Sequence, residues 1–244
     1  MKQIYFITGT DTGVGKTVLT CLFLKSLRAR GLNAAALKPI CSGGRGDARK
    51  IFSAMNGALT LDEINPWHFR APLAPLLAAR LESRKIELPR VLDRLRAMQK
   101  RFDILIIEGA GGLLSPLGGQ TEKLDVAPGQ GRREATNPFG QGKVFCSRDL
   151  IFALRATPIV VAPNQLGVVN HVLLTLESLP KNSRPRAKVV LMAARKPDSS
   201  VATNRKLLAE FLPLERIFLL PRLNLARNSQ FPGMTRIIGA LLGE

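Results

Sequence analysis

Along the chain, short uninterrupted apolar runs alternate with longer stretches whose apolar residues recur at helical spacing. The runs are "KQIYFIT" (from Lys2), "AAALKP" (from Ala34), "DILIIEG" (from Asp103), "TPIVVAP" (from Thr157), "AKVVLM" (from Ala187) and "ERIFLLP" (from Glu215). The helical stretches include "KTVLTCLFLKSLRARG" (from Lys16), "LPRVLDRLRAMQKR" (from Leu88), "GVVNHVLLTLESL" (from Gly167) and "SSVATNRKLLAEF" (from Ser199). Apolar runs without polar alternation are strands buried on both faces, which is the condition of a parallel sheet covered by helices. The pattern therefore predicts an α/β fold, a mainly parallel sheet with helices on both faces, over one domain spanning 1–244. In that architecture ligands collect where the strands end at their carboxyl side.

The first strand runs into "GTDTGVGKT", Gly9 to Thr17, and a helix follows at once. Strand, glycine loop and helix in this order form a phosphate cradle, so the domain reads as P-loop NTPase-like. Backbone N–H groups of Gly13, Val14 and Gly15 face the anion, Lys16 reaches the outer phosphates, and the Thr17 hydroxyl suits Mg2+. The loop has five residues between Gly9 and Gly15, one more than the common spacing. The other reading of such a loop, a glycine turn that merely caps a helix, leaves Lys16 and Thr17 without a role.

Two further strand ends carry charge. "LKPICSGGRGDARK" places Lys38 at the end of the second strand, followed by Ser42 and Asp47. "EGAGGLLSPLG" places Glu108 at another, followed by Gly109 and Gly111, where the backbone allows close approach. Lys and Glu at buried strand ends are either paired with each other or bind a ligand. A cation and a carboxylate facing the phosphate loop suit a phosphate and its Mg2+.

Composition narrows the setting. No apolar run approaches membrane-spanning length, no signal-peptide pattern precedes the first strand, and three cysteines lack zinc spacing, so a cytoplasmic, reducing compartment is expected. Net charge is +18. The basic residues are spread over segments such as "RLESRK", "KNSRPRAK" and "NRKLL", without aromatic interleaving. That distribution favours attraction of anionic substrates over a nucleic-acid site, although it is compatible with weak, salt-sensitive nucleic-acid contact. His68 and His171 are far apart and read as structural.

Five stretches in order, "TGTDTGVGKT", "KPICSGG" followed by an Asp, "NPWHFRAPLAP", "EGAGGLLSPLG" and "NQLGVVNHVLLT", together resemble the dethiobiotin synthetase family. The resemblance runs from near Lys2 to about Leu179 with one interruption, and weakly beyond. It implies ATP-dependent closure of a ureido ring. An amino group of 7,8-diaminopelargonic acid takes up CO2 as a carbamate, the carbamate attacks the γ-phosphate, and the second amine displaces phosphate. By the same resemblance Thr12 and Lys16 contact carbamate and phosphates, Lys38 and Ser42 belong to the carbamate site, and Thr17, Asp47 and Glu108 match Mg2+ ligands. It further implies a homodimer in which backbone groups of Gly167, Val168, Val169 and Asn170 take the substrate carboxylate from the neighbouring subunit. From the residues alone, that last segment is equally an ordinary helix start.

Two departures from the family pattern stand out. "GQTEKLDVAPGQGRREATNPFGQGKVFCS", Gly119 to Ser147, is polar, glycine-rich and aperiodic, and predicts a flexible insertion at about 118–147. Met192 stands where the family commonly has an asparagine that reads the nucleotide base, which leaves base preference open, with Asn224 as a substitute. Rival assignments are a DNA-partitioning type ATPase switch, a related amide ligase acting on a cofactor precursor, and a weakened paralogue. The switch enzymes usually start the loop "KGG", and this chain has "TGTDTG".

Overall fold

The computed structural model describes residues 2–119, 144–194, 196–221 and 232–242. In chain order the elements are β1 (Gln3–Gly9), α1 (Lys16–Ala29), β2 (Ala34–Leu37), β3 (Ile40–Cys41), α2 (Gly46–Met55), α3 (Leu61–Ile64), β4 (Trp67–His68), α4 (Pro75–Leu81), α5 (Leu88–Arg101) and β5 (Ile104–Glu108). They continue with β6 (Gly118–Gly119), β7 (Val144–Phe145), α6 (Ser147–Leu154), β8 (Thr157–Asn164), α7 (Val168–Glu177), β9 (Lys188–Ala193), α8 (Asn204–Leu208), β10 (Ile217–Leu220) and α9 (Pro232–Leu242).

Six strands form one sheet in the order β10-β9-β8-β1-β5-β2, and every pairing in it is parallel. Each of the six apolar runs supplies one of these strands, because β1, β2, β5 and β8 are buried along almost their whole length. The helices keep the expected one-sided character. In α5, Val91, Leu92, Leu95 and Met98 face the core, while Lys100 and Arg101 sit in the last turn, where a cation complements the helix dipole. The buried side chains of both sheet faces join in one core cluster.

Registers place the chemistry. Leu37 lies opposite Ile107, so the next residues, Lys38 and Glu108, leave their strands side by side. Ile7 lies opposite Glu108, which sets that carboxylate beside the end of β1 and its loop.

Two expectations change in detail. The stretch Ser199 to Phe211 forms a 3-10 turn, Ser199–Ala202, and a separate short α8 instead of one helix. Asp198 caps the turn through Ser200 N–H, and Thr203 Oγ1 donates to the Ser200 carbonyl at 3.1 Å; such side-chain bonds compete with helical ones. The range expected to be a flexible insertion is ordered at both edges, where Gly118–Gly119 pair antiparallel with Val144–Phe145 and Ser147 opens α6. Residues 120–143, the rest of that expectation, and Asn224 lie outside the described residues.

Candidate active site

The phosphate loop leaves β1 at Gly9 and closes at Gly15, whose backbone is left-handed (φ 106°). Only glycine adopts this readily, and a Cβ there would also press against Met192, 2.9 Å from its Cε. Met192 thus packs its thioether against the loop, where it offers contact area but no strong hydrogen-bond partner. Among the described residues no side chain caps the first turn of α1. The N–H groups of that turn and the positive end of the helix dipole are therefore available to an anion.

Lys16 is buried and its Nζ donates to the Asp11 carbonyl at 2.7 Å. Burial foremost, with neighbouring Lys38, lowers its pKa from 10.5 to about 8, against the opposing pull of Glu108, Asp47 and Asp11. A cation held at this cost in solvation is stabilised when an anion binds beside it.

Glu108 is the centre of the cluster. Its Oε1 accepts from Lys38 Nζ at 2.6 Å and from Thr17 Oγ1 at 2.8 Å. Lys38 Nζ also donates to the Gly109 carbonyl at 2.8 Å and lies 3.9 Å from Asp47 Oδ2. Of the two alternatives for Lys38 and Glu108, ion pair and ligand site, the ion pair is formed, and Glu108 joins it to Thr17 at the start of α1. Glu108 is 1% exposed, and its Oε2 has no hydrogen-bond partner among the described residues. A carboxylate oxygen buried without a partner is costly unless a cation meets it. Together with the Thr17 hydroxyl and the half-exposed Asp47 carboxylate it makes an all-oxygen donor set, which fits Mg2+. Among the described residues no group of three His, Cys, Asp or Glu side chains converges, so a zinc-type site is not formed by them.

The other expected residues fall around this centre. Thr12 is exposed, and its Oγ1 lies 3.8 Å from the place a Cβ on Gly111 would take, so the phosphate loop and the loop after β5 approach one another. Gly109 packs without room for a side chain, 2.9 Å from Ser147 Oγ and 3.1 Å from Phe6 Cε1 at the position a Cβ would take. Ser42 Oγ donates to the Leu73 carbonyl at 2.5 Å, which fixes the loop before α2 to the segment before α4. Gly13 is exposed and Val14 is buried.

Gly167 to Asn170 lie one strand further along, at the end of β8, which pairs with β1. Gly167 is left-handed (φ 85°) and no side chain caps α7. The Val168 N–H donates to the Gln165 carbonyl at 3.1 Å and is thereby engaged within the turn. His68 and His171 belong to β4 and α7, and neither is in the Lys38–Glu108 cluster.

Asn65 was not among the residues expected at the site. It is fully buried, donates through Nδ2 to the Lys38 carbonyl at 2.7 Å, and accepts at Oδ1 from Cys41 Sγ and Arg45 Nε. Arg45 also bonds the carbonyls of Leu61 and Asn65. These groups hold the backbone on which Lys38 stands. The only sequence signal was an Asn-Pro turn within "NPWHFRAPLAP".

The comparisons with known proteins point the same way. A family model described as an AAA domain matches residues 3–128. An ATP-dependent dethiobiotin synthetase BioD from Anaeromyxobacter dehalogenans (strain 2CP-C) is 38% identical over 221 residues, covering 88% of each chain. Another BioD, from Anaeromyxobacter sp. (strain K), is 37% identical over 98% of this chain and 96% of its own. The chain belongs to the dethiobiotin synthetase family. Other BioD relatives extend beyond that genus, as with Thermodesulfovibrio yellowstonii at 34% identity over 91% of this chain and 90% of the relative. Among solved structures, pNOB8 ParA bound to nonspecific DNA matches with a TM-score of 0.55 and 12% identity, covering 100% of this chain and 98% of that one. The MinC:MinD cell division protein complex of Aquifex aeolicus matches with a TM-score of 0.54 and 13% identity, covering 99% and 96%. At such identities the likeness is one of fold alone, and the family rests on the dethiobiotin synthetase relatives.

Proposed function

We propose that this chain, acting as one domain, converts 7,8-diaminopelargonic acid, CO2 and ATP to dethiobiotin, ADP and phosphate. It is an ATP-dependent ligase of biotin biosynthesis, as its family membership establishes. The observation that carries the residue assignment is the contact of Lys38, Glu108 and Thr17 beside the phosphate loop.

Two anions, a substrate carbamate and the ATP γ-phosphate, must meet despite their repulsion. Lys16 and Lys38 supply the positive charge that offsets it, and the first-turn N–H groups of α1 add fixed dipoles. A carbamate oxygen attacks the γ-phosphorus, the bond to ADP breaks, and a carbamic–phosphoric anhydride forms. The second amine then attacks the carbamoyl carbon, phosphate leaves, and the amine loses a proton. No side-chain nucleophile is needed, since positioning and charge stabilisation suffice. Thr12 and Ser42 orient the carbamate in this reading. Glu108, Asp47 and Thr17 would hold Mg2+, which when bound neutralises charge on the phosphate oxygens.

Gly167, Val169 and Asn170 offer backbone N–H groups at the start of α7 for the substrate carboxylate, and Val168 packs the turn against the core. In this reading the enzyme is a homodimer and the carboxylate comes from the substrate bound in the neighbouring subunit. A cytoplasmic location accords with Cys41 and Cys146 standing buried as free thiols. Among the described residues no helix is long and apolar enough to cross a membrane.

The test is phosphate release from ATP and Mg2+ with and without the diamine and bicarbonate, with mass detection of the product. Diamine-dependent release together with dethiobiotin is expected. Hydrolysis indifferent to the diamine and stimulated by DNA would replace this reading with the switch. Repeating the assay with CTP and GTP measures the base preference that Met192 leaves open.

A further inference from the structure

Between the end of β8 and the start of α7 the chain turns in three exposed residues, Gln165, Leu166 and Gly167; Leu166 is 79% exposed. An exposed turn ordinarily leaves its backbone groups to water and is mobile. Here it is bonded from a segment more than thirty residues away. Asp198 Oδ2 accepts from the Leu166 N–H at 2.9 Å. Asn204 Nδ2 donates to Asn164 Oδ1 at 2.8 Å and faces the Gln165 carbonyl at 3.2 Å and Ser200 Oγ at 3.1 Å. Asn164 Nδ2 returns a bond to the Val201 carbonyl at 3.2 Å. Ser200 closes the set, with both its N–H (2.9 Å) and its hydroxyl (2.5 Å) on Asp198 Oδ1.

This network has a definite direction. Asn164 and Asn204 are both buried; the Asn164 amide is met at both ends, by Asn204 and the Val201 carbonyl, and the Asn204 amide nitrogen by Asn164, the Gln165 carbonyl and Ser200. Buried amides in a satisfied network fix one geometry, because any other leaves a donor or acceptor unpaired. The orientation of the Asn204 amide is itself determined, since its nitrogen faces three oxygens. What the network holds is the turn that aims the first N–H groups of α7. Among the described residues none of its hydrogen bonds reaches the phosphate loop or the Lys38–Glu108 pair.

We infer that Asn164, Asp198 and Asn204 are positioning residues that lock the β8–α7 turn so that the start of α7 receives the substrate carboxylate. The inference rests on the proposed role of that helix start. A locked turn presents its N–H groups without ordering on binding, and a small misplacement at such a contact weakens it steeply. The effect belongs to binding of the substrate's far end, so it is read in the KM for the diamine.

The experiment compares wild type, Asn204→Ala and Asp198→Ala on 7,8-diaminopelargonic acid and on the same 7,8-diamine with its carboxylate replaced by methyl. Wild type is expected to prefer the acid. Each variant is expected to raise KM for the acid about tenfold, to leave KM for ATP unchanged, and to show no penalty on the methyl analogue. Asp198→Asn, which keeps one oxygen acceptor, falls between. A wild type that discriminates, with variants penalised equally on both substrates, overturns the positioning role. A wild type indifferent to the carboxylate overturns the reading of the α7 start beneath it, and is seen without any variant. If Asn204→Ala fails to fold, Asp198→Ala, which alters an exposed side chain, distinguishes the same outcomes.

Discussion

Two strand-end turns of this molecule are built from opposite materials. At the ends of β1, β2 and β5 the groups are charged and buried: Lys38 and Glu108 pair, Lys16 bonds the Asp11 carbonyl of the phosphate loop, and among the described residues Glu108 Oε2 is left unpartnered. At the end of β8 the groups are mainly neutral amides, and each Asn finds its partners within the fold. The first arrangement is poised for ligands, because buried charge without full compensation is stabilised by whatever brings the opposite charge. The second is finished before any ligand arrives. Chemistry and positioning therefore place different demands on the sequence, and substitutions separate them.

The largest expected effect is at Lys16. Lys16→Met should lower kcat about 100- to 1000-fold, the scale of losing one preorganised charge-stabilising donor. It should not lower the melting temperature. A lysine whose folded pKa is about 8, below the unfolded 10.5, detracts from stability below pH 8, and the deficit fades as pH rises towards 10.5. Steady-state rates and thermal melts on one preparation check both halves.

Lys38 should behave differently in stability. Lys38→Met leaves Glu108 buried without its cation and should cost about 3–5 kcal/mol in denaturant unfolding. Adding Glu108→Gln should recover most of that stability and none of the activity. Failure of the double variant to recover would mean that the pair does not act as a coupled unit.

In the neutral turn, Gly167→Ala should cost about 1 kcal/mol, since the added Cβ meets only His171 Cε1 at 4.0 Å and the penalty is that of the left-handed backbone. Urea unfolding measures it; a loss several times larger would mean that the site is tighter than the fold indicates.

The smallest effect lies on the surface. Glu63 accepts from Arg101 Nη1 at 2.6 Å and from the Thr60 N–H, and these bonds, the Arg101 one foremost, lower its pKa from 4.5 to about 2. Its stabilisation is present above about pH 4.5 and is lost as pH falls towards 2. Exposure and salt screening keep it small. Glu63→Gln should flatten the stability profile in that acid window and leave pH 7 activity unchanged.

What the sequence made legible follows the same division. The phosphate loop is local: a strand, spaced glycines, Lys16 and Thr17 are contiguous, so their roles can be read in order. The six strands are legible because burial on both faces leaves unbroken apolar runs. The meeting of Lys38 with Glu108 depends on the β2–β5 register across 70 residues, and only the choice between pair and ligand site was visible. Asn204 gave no signal and Asn65 only that of an Asn-Pro turn, because a polar residue declares its burial only through partners elsewhere in the chain. Asn65 supports Lys38 from 27 residues away, and Asn204 reaches Asn164 across 40. The expected helix from Ser199 broke for the same reason, the Asp198 and Thr203 side chains being engaged with backbone and the Ser200 hydroxyl with Asp198.

The most direct test of the central claim, that this site activates a carbamate by phosphoryl transfer, is the fate of oxygen from labelled CO2. With [18O]bicarbonate, ATP, Mg2+ and the diamine in unlabelled water, a single turnover should deliver one 18O atom into inorganic phosphate and 7,8-diaminopelargonic acid into dethiobiotin. Phosphate free of label here, together with 18O in phosphate from the reciprocal run with unlabelled bicarbonate in 18O-water, would mean that the enzyme merely hydrolyses ATP, and would contradict the account.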